Sequence, residues 1–229
     1  MLRTLACACF LFFTVLSFGQ KTFPPIDDSR KDAALAEFVE KLKIVAAKHD
    51  TAALRAMLDA NVQTSWDGDN TIAGFWNSWA LGQSDSSMLW PILSRVLSLG
   101  GAFNKDEKAD SRFAFVFPYV CTLSLEDPDW YTSTGVITGK DVNFRDRPAM
   151  NAPIIGKLSY DVIQFALNAE GLFITSGQNV IGEPEWYCIE KGGTRGWVFW
   201  QYIYAPIDWR LYLAKIDEKW KITCLIAGD

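Results

Sequence analysis

Between Val136 and Phe199 the chain offers five short strand-forming runs: Val136-Ile137, Ile154 to Leu158, Val162 to Phe165, Trp186 to Ile189 and Trp197 to Phe199. Clusters of Gly, Pro and Asn separate them, the pattern of a small antiparallel barrel. The sharpest turn is Lys191-Gly192-Gly193-Thr194-Arg195-Gly196, whose glycines allow the positive φ angles of a tight hairpin. The middle of the chain is therefore expected to be all-β.

The flanks read differently. Residues 20 to 26, with Phe23-Pro24-Pro25, suggest an extended leader. Asp27, Asp28 and Ser29 offer N-cap oxygens to a helix whose Leu35, Phe38, Val39, Leu42, Val45 and Ala46 recur at the spacing of one helical face. A shorter helix follows, capped by Asp50 or Thr51, burying Leu54, Met57 and Leu58 and ending at Asn61. Val62 to Trp66 alternates like a strand before the turn cluster Asp67-Gly68-Asp69-Asn70. A third helix is expected through Ile72, Phe75, Trp76 and Trp79, and a fourth from Met88 to Leu99. Pro91 fits the first turn of that fourth helix and Gly100-Gly101 stops it. Phe113 to Phe117 is strand-like, with Pro118 suggesting an edge or a bulge.

Leu211 to Ile216 and Trp220 to Ala227 alternate on either side of Asp217-Glu218-Lys219, a hairpin signature. The central β segment is complete without these strands, so their apolar faces need another partner, and they are expected to return to the first sheet. The alternative is a tail hairpin packed on the barrel. With Glu126-Asp127-Pro128-Asp129 as the connector before Trp130, the expected organisation is an α+β domain from residues 26–130 plus 206–229, with helices packed on an antiparallel sheet. Residues 131–205 form the inserted all-β barrel.

Arg3, an apolar run from Leu5 to Leu16 broken only by Thr14, and small Ser17 and Gly19 make residues 1–19 a secretory signal peptide. The run is too short to span a bilayer, which takes roughly 20 residues, and no later segment is long enough. Localisation is therefore expected to be periplasmic or extracellular. Beyond the signal, 21 basic residues face 27 acidic ones with no basic run, which argues against nucleic acid as a partner. Cys121, Cys188 and Cys224 permit one disulfide, with Cys121 and Cys224 the favoured pair, or three free thiols.

Catalytic chemistry has little to stand on. The single histidine, His49, sits at a helix end beside Lys48 and Asp50, and no G-x-S-x-G elbow or helix-opening Cys accompanies it. One histidine and cysteines without C-x-x-C spacing give no usual zinc site, and Ser78 replaces the glutamate that would complete a calcium loop at Asp67. Asp67-Gly68-Asp69 and Glu183-Pro184-Glu185 are the nearest paired carboxylates, in turn-like segments where acidic residues serve solubility. No cofactor and no enzymatic activity are expected. Trp66, Phe75, Trp76, Trp79, Trp90, Phe113, Phe115 and Phe117 fill a core or line a pocket for a small ligand.

The order Val142-Asn143-Phe144-Arg145-Asp146-Arg147-Pro148, Ile154-Ile155-Gly156-Lys157-Leu158, Trp186-Tyr187-Cys188-Ile189 and Gly196-Trp197-Val198-Phe199 resembles the bacterial SH3-like module. The resemblance rests on Asn143, Arg145, Pro148, Gly156, Trp186, Gly196, Trp197 and Tyr202. The chain departs from the pattern at Leu158-Ser159-Tyr160-Asp161, where a glycine is common, and in the long segment from Asn168 to Pro184. The resemblance implies a small binding barrel on an exported, non-enzymatic protein whose partner is a peptidoglycan peptide or an envelope protein. It makes Arg145, Tyr160, Trp186, Trp200 and Tyr202 candidate groove residues, with Arg145 able to grip a carboxylate through two hydrogen bonds. The structural alternative places Trp186 and Trp197 in the core and ties Arg145 to a carbonyl or to Asp146.

Overall fold

A computed structural model describes residues 22–66, 68–82, 86–105, 110–123 and 133–228. The expected signal peptide at residues 1–19, Asp67 and the acidic connector at residues 126–129 lie outside the described residues.

Helix α1 (Ala33–Lys48) buries Leu35, Val39, Leu42, Val45 and Ala46, the face its periodicity marks. Its cap is Asp32, whose carboxylate accepts from the Leu35 N–H at 3.0 Å, and not the expected Asp27 to Ser29. Asp27 instead caps a single 3-10 turn, Asp28–Lys31. Helix α2 (Thr51–Met57), capped by Asp50, ends before Leu58 and passes directly into β1 (Leu58–Gln63). The expected helix end at Asn61 and strand at Val62 to Trp66 are thus displaced toward the N-terminus, because pairing with the C-terminal strand draws Leu58 to Gln63 into a sheet.

Helix α3 (Ile72–Ser78) is capped by Thr71, and α4 (Leu89–Ser98) carries Pro91 in its first turn, where its missing N–H costs nothing. At Gly100, φ is +78° and a Cβ would lie 2.3 Å from the Ile26 carbonyl, so glycine alone fits this stop. The short β2 (Ala102–Phe103) precedes β3 (Phe115–Phe117), which starts late because Ser111–Phe113 forms a 3-10 turn. Pro118 follows β3 through a cis bond and opens another 3-10 turn, so it stands beyond the strand and not on an edge or bulge within it.

The central segment supplies β4 (Thr134–Ile137), β5 (Val142–Arg145), β6 (Ile154–Leu158), β7 (Val162–Phe165), β8 (Thr175–Ser176), β9 (Trp186–Lys191), β10 (Thr194–Phe199) and β11 (Ile203–Tyr204). The C-terminal hairpin is β12 (Arg210–Ile216) and β13 (Lys219–Ile226).

The molecule is mixed α+β with two mostly antiparallel sheets. The first has the order β1-β13-β12-β3-β2, so the C-terminal hairpin occupies its middle; β1 runs parallel to β13, a departure from the all-antiparallel sheet expected. Helices α1 and α2 pack on β13 and α4 on β12. The second sheet has the order β11-β4-β7-β9-β10-β5-β6, with β8 sharing the β9 edge that β7 uses further along. Its end strands β11 and β6 do not pair with each other, so the sheet is open and the expected closed barrel is not seen.

Two cores result. Leu35, Leu42, Phe75, Trp90, Leu93, Phe115, Leu213 and Ile222 belong to one, and Ile137, Phe144, Leu158, Ile163, Ile189 and Val198 to the other. Each fully buried large side chain contributes on the order of 2 kcal/mol. The first core also takes Val136, Ile181, Trp200 and Tyr204 from the central segment. Strand alternation explains how β4 serves both, since Val136 and its neighbour Ile137 point to opposite faces.

Candidate functional site

Alternation along β5 sends Val142 and Phe144 into the second core and turns Asn143 and Arg145 to the opposite face. Register then fixes their neighbours: Lys157 of β6 lies opposite Asn143, and Trp197 of β10 lies opposite Arg145. The close approach of β10 to β5 requires a glycine, because a Cβ on Gly196 would lie 2.5 Å from the Phe144 ring and 2.7 Å from the Arg145 carbonyl oxygen. On this face a cleft of about 170 Å³ is lined by residues that include Lys140, Asn143, Arg145, Lys157, Trp186 and Tyr202.

Three of the five groove residues picked from the sequence meet here. Arg145 donates from Nη1 to the Ala152 carbonyl at 2.6 Å, which orients its guanidinium. Trp186 is 4 % exposed, packed edge-on against Phe199 with ring centroids 5.2 Å apart, yet it contributes to the lining. Tyr202, 45 % exposed, stands over Gly139 in the 3-10 turn Trp200–Tyr202. Trp186 is buried as a core residue would be and Arg145 is tied to a carbonyl, and both residues line the cleft nonetheless.

The other two lie elsewhere. Trp200 is buried against α4, with the Arg95 guanidinium 4.5 Å from its ring centre, because the turn Trp200–Tyr202 rotates it inward as Tyr202 rotates outward. Tyr160 has φ of +60°, and its carbonyl accepts from the Phe23 N–H at 2.8 Å, placing it beside the N-terminal segment. Lys140, Asp141, Val142, Asn143, Met150, Lys157 and Phe199 complete the cleft and are not among the ligand-binding residues expected from the sequence. The alternation V-N-F-R over Val142 to Arg145 could have placed Asn143 with Arg145. Lys157 needed the β5–β6 register, which no local pattern encodes.

Outside the cleft, a second polar cluster joins the two sheets. Arg95 of α4 pairs with Glu183 at 2.8 Å, donates to the carbonyls of Trp200 and Ile203, and lies over Trp200 and Tyr204. Glu183, expected as a solubilising turn residue, is thus a tether that the long segment from Asn168 to Pro184 delivers to α4. Burial raises the Glu183 carboxyl above its ordinary value, with Asp208 adding to the shift and Arg95 opposing it.

Cys121, Cys188 and Cys224 are free, so the favoured Cys121–Cys224 pair is not formed; Cys121 sits in a 3-10 turn and not in a strand. Burial pushes the Cys224 thiol up to about 12 and raises Cys121 further, which keeps both protonated and unreactive near neutral pH. His49 takes the left-handed cap position of α1 and stacks on Trp90 at 5.0 Å. Among the described residues, no group of three or more His, Cys, Asp or Glu side chains could hold a metal ion. None of the described helices is long and apolar enough to cross a membrane.

No family model, curated protein or solved structure compared with this chain matches it.

Proposed function

We propose that this is an exported, non-enzymatic binding or scaffold protein, periplasmic or extracellular, whose second sheet is an SH3-like module contacting a cell-envelope peptide or protein. The observation that carries the reading is the convergence of Arg145, Trp186 and Tyr202 on one cleft, a mixture of aromatic and cationic side chains of the kind peptide recognition uses. Asn143, Gly156 and Gly196, which carry the resemblance, lie on the paired strands that build this face. Gly196 in particular is required by packing.

The alternative, a small-ligand pocket among the aromatic residues of the first sheet and its helices, has weaker support. Phe75, Trp90, Phe115 and Phe117 are fully packed in the core, Trp79 is buried against Trp209, and Trp76 lies under Arg55.

Sedimentation of the mature protein with purified peptidoglycan and envelope fractions tests the proposal. Retention is expected, lost in Tyr202→Ala and kept in Ile44→Ala, whose side chain is exposed on α1. Equal retention of both variants would move binding away from the cleft, and no retention of the wild type would remove the envelope partner.

A further inference from the structure

Lys140, Arg145 and Lys157 bring three positive charges to the cleft and Asp141 brings one negative charge, a local surplus of two on a chain whose net charge is −5. Among the described residues none of the three cations has a carboxylate within ion-pair distance, whereas Arg95, Lys191, Arg195 and Lys215 each do. Neutral oxygens hold two of the cleft cations in place. Arg145 donates to the Ala152 carbonyl, and Lys157 donates to the Asp141 carbonyl at 3.2 Å and to Asn143 Oδ1. Such acceptors orient a cation without cancelling its charge. Ala152 occupies one terminal nitrogen of Arg145, and a guanidinium presents five N–H donors in a planar fork that matches a carboxylate.

The same cleft is lined by Trp186, Phe199, Tyr202 and Met150, the last 60 % exposed. An anion joined directly to an apolar group satisfies both kinds of lining residue, and a bare inorganic anion satisfies only one. Pockets that enclose a whole small molecule measure about 300 Å³ or more. A cleft of about 170 Å³ therefore takes one end or one side chain of a longer ligand.

We propose that the cleft captures a peptide carboxylate, with the charged group against Arg145, Lys140 and Lys157 and the adjoining aliphatic carbon on Trp186 and Tyr202. The proposal rests on the cleft being the module's binding site. The carboxylate is either a free chain end or an acidic side chain, and both present the same chemistry to the fork.

Two arms test it on the mature chain. In the first, N-acetyl-Ala-Ala with a free carboxylate, the same peptide as its amide, N-acetyl-Ala-Glu amide and inorganic phosphate are titrated while the Trp186 indole N–H signal is followed, assigned through Trp186→Phe. At least one carboxylate peptide is expected to move this signal, the Ala-Ala amide to bind about tenfold more weakly or worse, and Lys140→Glu to weaken the carboxylate peptide. The stronger of the two acids identifies the source of the carboxylate. Binding of the Ala-Ala amide as strong as that of the stronger acid, binding of phosphate as strong as that acid, or no response to any peptide would overturn the proposal.

In the second arm, sacculi are compared with sacculi whose carboxylates have been amidated. Loss of retention on amidation supports the proposal, and equal retention overturns it while leaving the envelope-binding reading intact. If neither preparation retains the protein but the free-acid peptide binds, peptidoglycan is the wrong partner and carboxylate capture stands.

Discussion

Arg95 concentrates more of the fold's polar organisation than any sequence pattern announces. Its guanidinium meets one carboxylate, two carbonyls and two aromatic faces, all contributed by residues 183–204, from a helix of the first sheet's layer. Removing one partner of this partly buried pair leaves the other without its charge partner, so Arg95→Ala should cost about 2 kcal/mol in urea unfolding. Arg95→Lys should recover little of it, because a single ammonium cannot reproduce the planar fork. The same cluster sets a pH dependence. Burial raises the carboxyls of Glu183 and Asp208 above their ordinary values, against the pull of Arg95 on both. A carboxyl whose folded-state pKa is raised holds more protons folded than unfolded. Its contribution to stability therefore falls as pH rises from the ordinary carboxylate range, about pH 4, through the raised folded values. In Glu183→Gln that decline should be shallower, measured as urea midpoints at stepped pH; an unchanged slope would remove Glu183 from the account. None of this was legible locally, since Glu183 sits in a turn and Arg95 on a helix 88 residues away.

At the level of elements, what could be read were the features with a short repeat. The apolar face of α1 and the alternation of β12 and β13 are local patterns with one solution each. The β9–β10 hairpin is equally local: Gly192 and Gly193 have φ of +56° and +77° and no neighbour that a Cβ would meet, so conformation alone selects them. Gly193→Ala should therefore destabilise by about 1 kcal/mol through backbone strain, seen as a lower thermal midpoint with the β-sheet circular dichroism retained. Elements fixed by distant partners carry no such local pattern. The strand β1 lies at Leu58–Gln63 because its parallel partner β13 is at the far end of the chain, and a parallel ladder leaves no hairpin signal. The cap of α1 moved to Asp32, since an intervening 3-10 turn used the earlier Asp27. Trp200 and Tyr202 looked equivalent as aromatic residues, and the single turn that holds them sends one inward and the other outward.

On the scale of the molecule, the two sheets share a core, because Val136, Ile181, Trp200 and Tyr204 belong to the same buried cluster as side chains of α1 and α4. Cooperative unfolding follows. Tryptophan fluorescence and far-ultraviolet circular dichroism should report one coincident transition in urea, whereas two separated transitions would mean that the sheets are energetically independent. The candidate site divides along similar lines. Arg145, Trp186 and Tyr202 were visible as motif residues, while Lys140 and Lys157 enter through strand register and turn geometry. Amide chemical-shift mapping with soluble peptidoglycan fragments tests whether this cleft is where the protein meets its ligand. Shifts concentrated on Lys140, Asn143, Arg145, Trp186 and Tyr202 are the predicted result; shifts confined to α1, α4 and the first sheet would contradict it.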